Sequence, residues 1–283
     1  STISAIEQDY QDFMWFGTFN GLNRFDGYSF KVYKSDPQDA GSLSSSHIET
    51  IFEDSKKNLW IGTADGVNFY NRQNDAFQYY RYADPSPHNY AVKTFAEGKD
   101  GKIWVGGLQG LCYIDSATMT VINVQPLPTE ETPKMIFDIE PDPSGNLWLA
   151  TNHGLFYYNV PKNSMEAFPV ENSVAVSTEI NEARSLLLDK QGSLWVGYQN
   201  GIYKLERGAV NPKLQLSVLK RNSINDIAQR LDGALLIGTE SGLYVYTERT
   251  GDLQHYTKER TANGLSDNVV RNIFHDRYNH LWL

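Results

Sequence analysis

The chain has 283 residues, of which 25 are basic and 34 acidic, so its formal net charge is −9 at pH 7. This charge argues against a nucleic-acid-binding surface, because such surfaces need clustered Lys and Arg. Apolar residues make up 40% of the chain, which excludes a disordered polymer, and no apolar run reaches membrane-spanning length. The sequence therefore predicts a folded region that neither binds nucleic acid nor inserts directly into a membrane.

The cysteine and histidine content excludes several kinds of site. Cys112 is the single cysteine, so the chain has no internal disulfide and no Cys-x-x-Cys metal site. The six His show no close spacing, and we expect no metal and no cofactor. Residues 1–6 lack the charged and apolar segments of a signal peptide. The chain is therefore either cytosolic or a region from which a signal has been removed.

A repeat of 41 to 47 residues runs through the whole chain. An apolar residue lies nine positions before each repeat centre, and in the first six repeats a Gly lies six positions after it. So much agreement in register excludes coincidence, and this period is typical of propeller blades. The seven repeat centres are Trp15, Trp60, Trp104, Trp148, Trp195, Leu236 and Trp282.

Each repeat predicts four short strands separated by turn-forming residues. In the second repeat these strands are 47–52, 59–63, 67–70 and 77–80. A lone four-stranded sheet cannot bury both of its faces, whereas sheets stacked around an axis can. The sequence therefore predicts an all-β, seven-bladed β-propeller of four-stranded antiparallel blades, with the large flat Trp rings packed between blades and Cys112 buried on a third strand.

The ends of the chain predict a fragment of a longer protein. Residues 281–283 fall inside an expected second strand, and domains seldom end on an unpaired apolar edge. We expect a single propeller domain over residues 1–283 whose last blade is incomplete here. Strands from beyond residue 283, with one from before residue 1 as a further option, would complete that blade.

Two segments, DSKKNLWIGTADGV at 54–67 and DKQGSLWVG at 189–197, resemble the two-component regulator propeller repeat, and residues 21–30 resemble a first blade of that family. The resemblance implies the periplasmic sensor region of a Bacteroidetes-type hybrid two-component histidine kinase. It further implies a second propeller and a β-sandwich in the same chain, a membrane span, and recognition of an oligosaccharide released from a polysaccharide. The chain departs from the pattern where Gly98 and Arg230 replace the turn Asp and Leu236 replaces the Trp.

One face of the predicted propeller carries the candidate ligand site. The starts of the first strands and the loops between second and third strands lie on it, and their residues vary between blades, as in Phe19-Asn20 and at the shared first-strand position that includes Phe137. Amides, carboxylates and Arg can bind sugar hydroxyls, and Tyr can cover an apolar sugar face. The candidate ligand-binding residues are His47, Glu49, Tyr90, Lys93, Asn152, His153, Asn181, Arg184, Gln199, Asn200, Glu240 and Arg271.

Other interpretations stay open from the sequence. The repeated Asp six residues before the Trp is expected on the opposite face as a structural turn cap. The polar residues at the axis could satisfy one another without any ligand. A protein-interaction or dimerisation propeller is an alternative to a sensor, and a propeller lyase or glycoside-active enzyme is a second one. No catalytic constellation is visible, so we expect no enzyme activity in this region and a homodimer in the intact protein.

Overall fold

The computed structural model describes residues 2–83, 90–126, 133–169, 182–207, 213–216, 219–220, 222–259 and 264–283. These ranges form 26 strands, and the prediction of an all-β fold is confirmed. None of the described residues belongs to a helix long and apolar enough to cross a membrane.

Each of the first six repeats folds into four consecutive antiparallel strands, and the last forms a hairpin. The first three repeats contain β1 (Ile3–Gln8), β2 (Met14–Thr18), β3 (Gly21–Phe25), β4 (Phe30–Tyr33), β5 (Ile48–Glu53), β6 (Leu59–Thr63), β7 (Gly66–Asn71), β8 (Ala76–Tyr82), β9 (Val92–Glu97), β10 (Ile103–Gly107), β11 (Gly110–Asp115) and β12 (Thr120–Asn123). The next three contain β13 (Ile136–Pro141), β14 (Leu147–Thr151), β15 (Gly154–Asn159), β16 (Ser164–Phe168), β17 (Ala183–Leu188), β18 (Leu194–Tyr198), β19 (Gly201–Leu205), β20 (Lys213–Leu214), β21 (Ile224–Gln229), β22 (Leu235–Thr239), β23 (Gly242–Thr247) and β24 (Asp252–Tyr256). The final hairpin is β25 (Phe274–His275) and β26 (Leu281–Trp282).

Two neighbouring sheets are joined at their outer edges, which the repeat pattern does not predict. The outer strands β8 and β12 pair in parallel, with Arg81 opposite Thr120 and Tyr82 opposite Val121. The N–H of Ala83 donates to the carbonyl of Val121 at 2.9 Å and extends the ladder. The pairing arises because β8 is seven residues long and reaches the next sheet.

The hydrophobic core consists of layers between adjacent sheets. Trp15 is fully buried and packs against Ile48, Leu59 and Ile61 of the second sheet. Trp195 lies in the same way against Ile224 and other residues of β21 to β23. The prediction that the Trp position packs one blade on the next is confirmed, and Leu236 fills this position in the sixth sheet. Cys112 is also buried, on β11, and burial raises the pKa of its thiol to about 12.

The Asp six residues before the Trp closes the turn between first and second strands. In the fifth sheet, Asp189 Oδ1 accepts the N–H groups of Gln191 and Ser193, and Oδ2 accepts Trp195 Nε1 at 2.9 Å. Asp9, Asp54 and Asp276 also accept the indole N–H of their own Trp. The predicted turn cap is confirmed, and the same carboxylate holds the core Trp in place.

We expect Asp189→Ala to lower the free energy of unfolding by about 2–4 kcal/mol, because it leaves the Trp195 indole N–H and two turn N–H groups without their acceptor. Denaturant unfolding monitored by Trp fluorescence measures this loss. Asp232→Ala is the matched control, since Asp232 is an exposed turn carboxylate paired with Arg230. Its expected effect is below about 1 kcal/mol, and equal losses in the two variants would contradict the role assigned to Asp189.

The final hairpin packs against the first sheet and against the sixth. The Trp282 ring lies 5.6 Å from the ring of Phe16, and the N–H of Arg277 donates to Gln8 Oε1 at 2.8 Å. On the other side, the N–H of Ile273 donates to Asp226 Oδ2 at 2.7 Å. The sheets therefore form a closed ring in which first and last repeats are neighbours.

Candidate functional site

A central cavity lies on the axis of this ring. Its volume is about 310 Å³, and the first strand of every repeat contributes to its wall. The first strands therefore line the axis. The lining residues are Ser4, Ala5, Ile6, Glu49, Thr50, Ile51, Lys93, Thr94, Phe137, Asp138, Arg184, Ser185, Asn225, Asp226, Arg271, Asn272, Ile273 and Phe274.

A β-bulge near the start of each first strand positions the variable residue. In β5, Ile48 pairs with Thr63 and Thr50 with Gly62, so Glu49 has no partner in the register. The same irregularity recurs in β1, β9, β13, β17 and β21. A bulge re-aims the extra side chain without ending the ladder. The residues at this position are Ser4, Glu49, Lys93, Phe137, Arg184 and Asn225, with Arg271 equivalent to them in the last repeat.

The opening of the cavity, here called the mouth, adds residues from neighbouring loops. It has a volume of about 380 Å³ and is flanked by two aromatic side chains, Phe19 and Phe137. Phe19 is 54% exposed, and its ring lies 4.4 Å from that of His47. The mouth is lined by Ser4, Phe19, Glu49, Lys93, Phe137, Glu182, Arg184, Asn225, Arg271 and Asn272.

One side of the mouth contains an ion pair between adjacent sheets. Lys93 Nζ lies 2.8 Å from Glu49 Oε1, and both side chains are largely buried. His47 Nε2 lies 3.7 Å from the same oxygen and is itself buried, with no hydrogen-bond partner among the described residues. A buried polar atom of this kind can bind a ligand group that enters the mouth.

The other side of the mouth contains an oriented guanidinium. Arg184 Nε donates to Glu182 Oε1 at 3.0 Å, and Gln199 Nε2 donates to Glu182 Oε2 at 2.7 Å. Arg184 Nη1 also lies 3.5 Å from Ser223 Oγ. Because Glu182 fixes Arg184 through Nε, the two terminal nitrogens of Arg184 keep donors for a ligand.

The floor of the cavity contains two carboxyls. Asp138 Oδ2 accepts the N–H of Leu186 at 2.8 Å, and Asp226 Oδ2 accepts the N–H of Ile273, so each joins its strand to the next repeat. Burial raises the pKa of Asp138 to about 6 and that of Asp226 to about 7. Both groups can accept hydrogen bonds from ligand hydroxyls that reach the floor.

The structure brings together part of the predicted residue set. Glu49, Lys93, Arg184 and Arg271 line the mouth, and His47 and Gln199 contact its lining residues. The other predicted residues described do not line the cavity: Asn152, His153, Asn200 and Glu240, which lie on the loops after second strands, and Tyr90, which stacks on Tyr82 at 4.6 Å. Asn181 lies outside the described residues.

Six mouth residues were not among the twelve predicted ones: Ser4, Phe19, Phe137, Glu182, Asn225 and Asn272. Phe19 and Phe137 lie at two of the variable repeat positions identified in the sequence. An aromatic residue at such a position was the sequence feature that could have indicated a place in the mouth. Glu182 and Asn272 carry no such signal, because their place depends on the bulge and on the ring closure. In the part of the chain that is described, no three His, Cys, Asp or Glu side chains form a group that could hold a metal ion.

Comparison with known proteins adds to this geometry. Residues 42–65 match the model of the two-component regulator propeller. A histidine kinase, P4, from Formosa agariphila is 30% identical over 195 residues, which is 66% of this chain and 14% of that protein. The chain therefore spans about one seventh of the curated relative that it matches.

Two solved structures share the fold. An extracellular domain assigned to a hybrid two-component system of B. thetaiotaomicron has a TM-score of 0.82 and 26% identity, over 100% of this chain and 37% of that chain. Virginiamycin B lyase from Staphylococcus aureus has a TM-score of 0.68 at 13% identity, over 92% of this chain and 85% of that chain. The likeness to the lyase shows the β-propeller fold alone. The two-component regulator propeller repeat predicted from the sequence is thus confirmed, and the chain is similar to an extracellular domain of a hybrid two-component system.

Proposed function

We propose that this region is the ligand-sensing propeller of a hybrid two-component protein and that its mouth recognises an oligosaccharide. One observation supports this proposal above the others: in the first six repeats, a shared bulge turns a different side chain into the same cavity. A uniform structural channel does not need such variation. A cavity with two aromatic rings, amides, carboxylates and guanidinium groups suits a sugar, which has apolar faces and many hydroxyls.

The larger architecture is part of the same proposal. Six four-stranded sheets and a final hairpin that contacts the first sheet support a single seven-bladed propeller over residues 1–283, whose last blade is completed by residues outside this range. The region would lie in the periplasm, beside a second propeller and a β-sandwich, and would transmit its signal to a histidine kinase in a homodimer. The histidine kinase P4 and the extracellular domain from B. thetaiotaomicron support this context.

Isothermal titration calorimetry of the complete extracytoplasmic region against a panel of defined oligosaccharides tests the function. We expect one saccharide class to bind with a defined stoichiometry and to remain chemically unchanged after prolonged incubation. Sustained turnover of the saccharide would favour the alternative of an enzyme. Absence of binding across neutral and charged panels would overturn the sensor proposal in favour of an interaction propeller.

Phe137→Ala is expected to weaken binding of that saccharide by about tenfold or more, because it removes the aromatic platform beside the cavity. Leu231→Ala is the matched control. Leu231 is 75% exposed in the turn on the opposite face, and its loss should leave the affinity unchanged. Equal affinities of Phe137→Ala and the unmodified protein would place the ligand elsewhere.

A further inference from the structure

Cations outnumber anions at the equivalent first-strand positions around the mouth. The six bulge positions and the equivalent position in the seventh repeat carry three cations, Lys93, Arg184 and Arg271, and one anion, Glu49. The first strands follow one another around the axis in chain order. From the third repeat to the seventh, the three cations therefore alternate with neutral residues along an arc of the ring.

The three cations differ in how far the protein already neutralises them. Lys93 is paired with Glu49, and Arg184 with Glu182. Arg271 is exposed on the mouth and forms no ion pair or hydrogen bond with any residue in the described ranges. Its guanidinium keeps all five N–H donors for an incoming group.

The neutral side chains between the cations complete a recognition surface. In ring order, Phe137 lies between Lys93 and Arg184, and Asn225 lies between Arg184 and Arg271. Asn225 is held in place because its Nδ2 donates to the carbonyl of Val270 at 3.1 Å. A sugar ring on Phe137 would thus have a cationic group on each side.

The floor determines which end of a ligand faces the cations. Asp138 and Asp226 have carboxyl oxygens that can accept hydrogen bonds from hydroxyls, and they give an anion no stabilising charge. An anionic substituent is therefore directed to the arc of cations and the hydroxyl groups to the floor. Guanidinium groups bind planar carboxylates and sulfate-type oxyanions by paired, charge-assisted hydrogen bonds.

We propose that the oligosaccharide carries an anionic substituent, a uronate carboxylate or a sulfate ester, and that Arg271, the next cation after Arg184 in the arc, binds this group. The inference rests on the proposed function of the mouth. The structural basis of the inference is the order of five side chains on the described part of the ring: Lys93, Phe137, Arg184, Asn225 and Arg271.

Calorimetry on the complete extracytoplasmic region with chemically matched saccharides tests the inference. The probes are oligogalacturonides and their methyl esters, sulfated galactan oligosaccharides and their desulfated forms, and neutral oligosaccharides. We expect at least one acidic form to bind tenfold or more tightly than its neutral counterpart, and the two matched pairs distinguish a carboxylate from a sulfate. Binding confined to neutral saccharides would overturn the anionic ligand and leave the sensor function in place. No binding in any arm would overturn both.

Variants separate the role of Arg271 from a general effect of charge. Arg271→Gln is expected to weaken binding of the acidic saccharide by about tenfold or more and to leave binding of a neutral saccharide unchanged. Its fold should persist, because Arg271 has no protein partner in the described ranges, and an unchanged Tm checks this. Arg230→Gln, which removes an exposed guanidinium outside the mouth, is the control. Equal effects of the two variants on acidic saccharides, or none from Arg271→Gln, would overturn the assignment.

Discussion

Replacement of Arg72 by Ala is expected to lower the free energy of unfolding by about 3–5 kcal/mol. Arg72 Nη1 lies 2.6 Å from Asp9 Oδ2, and Nη2 lies 2.9 Å from Glu53 Oε2. The Asp9 side chain is fully buried and that of Glu53 is 8% exposed. The guanidinium also lies over the rings of Tyr10 and Tyr70. Without it, Asp9 loses its ion-pair partner, and Glu53 retains only Lys57 and Arg277, each 4.0 Å from Oε1.

Chemical denaturation at pH 7 measures this effect, and two further variants identify its cause. Arg72→Met preserves the volume over the rings and should lose nearly as much stability, because the missing charge is the main cost. In the Arg72→Ala background, Glu53→Gln should recover part of the loss, since it removes one of the two carboxylates that Arg72 pairs with. Arg230→Ala breaks an exposed pair with Asp232 and should cost less than about 1 kcal/mol. A loss of similar size from Arg72→Ala would contradict this account.

We expect the free energy of unfolding of the protein to fall between about pH 5 and pH 9. Burial raises the pKa of Glu7 and of Glu140 to about 8, and the charge of Asp138 adds to the shift at Glu140. Asp226, with its pKa raised to about 7, titrates in the same pH range. Asp75 does not contribute to this fall. Hydrogen bonds from Lys31, Tyr70 and Tyr33 outweigh the effect of burial and lower its pKa to about 2, so it titrates below this pH range.

The direction of this pH dependence follows from the number of protons that the folded and the unfolded states bind. Between the unfolded pKa near 4.5 and the folded pKa near 8, the folded protein retains protons that the unfolded chain has lost. Raising the pH therefore favours unfolding, by up to about 1.4 kcal/mol per pH unit for each such group. The penalty is absent below pH 4.5 and complete above pH 8.

Glu140→Gln tests this dependence at one position. The variant is expected to be about 2–4 kcal/mol more stable than the unmodified protein at pH 9 and to match it at pH 5, because Gln cannot ionise. Denaturant titrations at the two pH values measure the difference. Glu166→Gln, on an exposed position of β16, is the control and should show no pH-dependent gain. Equal stability of Glu140→Gln and the unmodified protein at pH 9 would show that Glu140 ionises freely in the folded state.

The repeat determined most of the fold by itself. A residue type that recurs at a fixed interval reports a local role that does not depend on the rest of the chain. Trp195 and Asp189 could therefore be read from the sequence as a core ring and a turn cap, and the structure confirms both roles. The strands predicted in the second repeat agree with β5 to β8 within two residues at each end.

The candidate site depended on tertiary structure, because its residues are the ones that do not repeat. The sequence identified Glu49, Arg184 and Arg271 as variable residues on one face, but not which partners would neutralise them. Only the closed ring shows that Glu49 engages Lys93 while Arg271 stays free of described partners. The parallel pairing of β8 with β12 was equally beyond prediction. Contacts between different repeats set these features, and a pattern within one repeat carries no information about them.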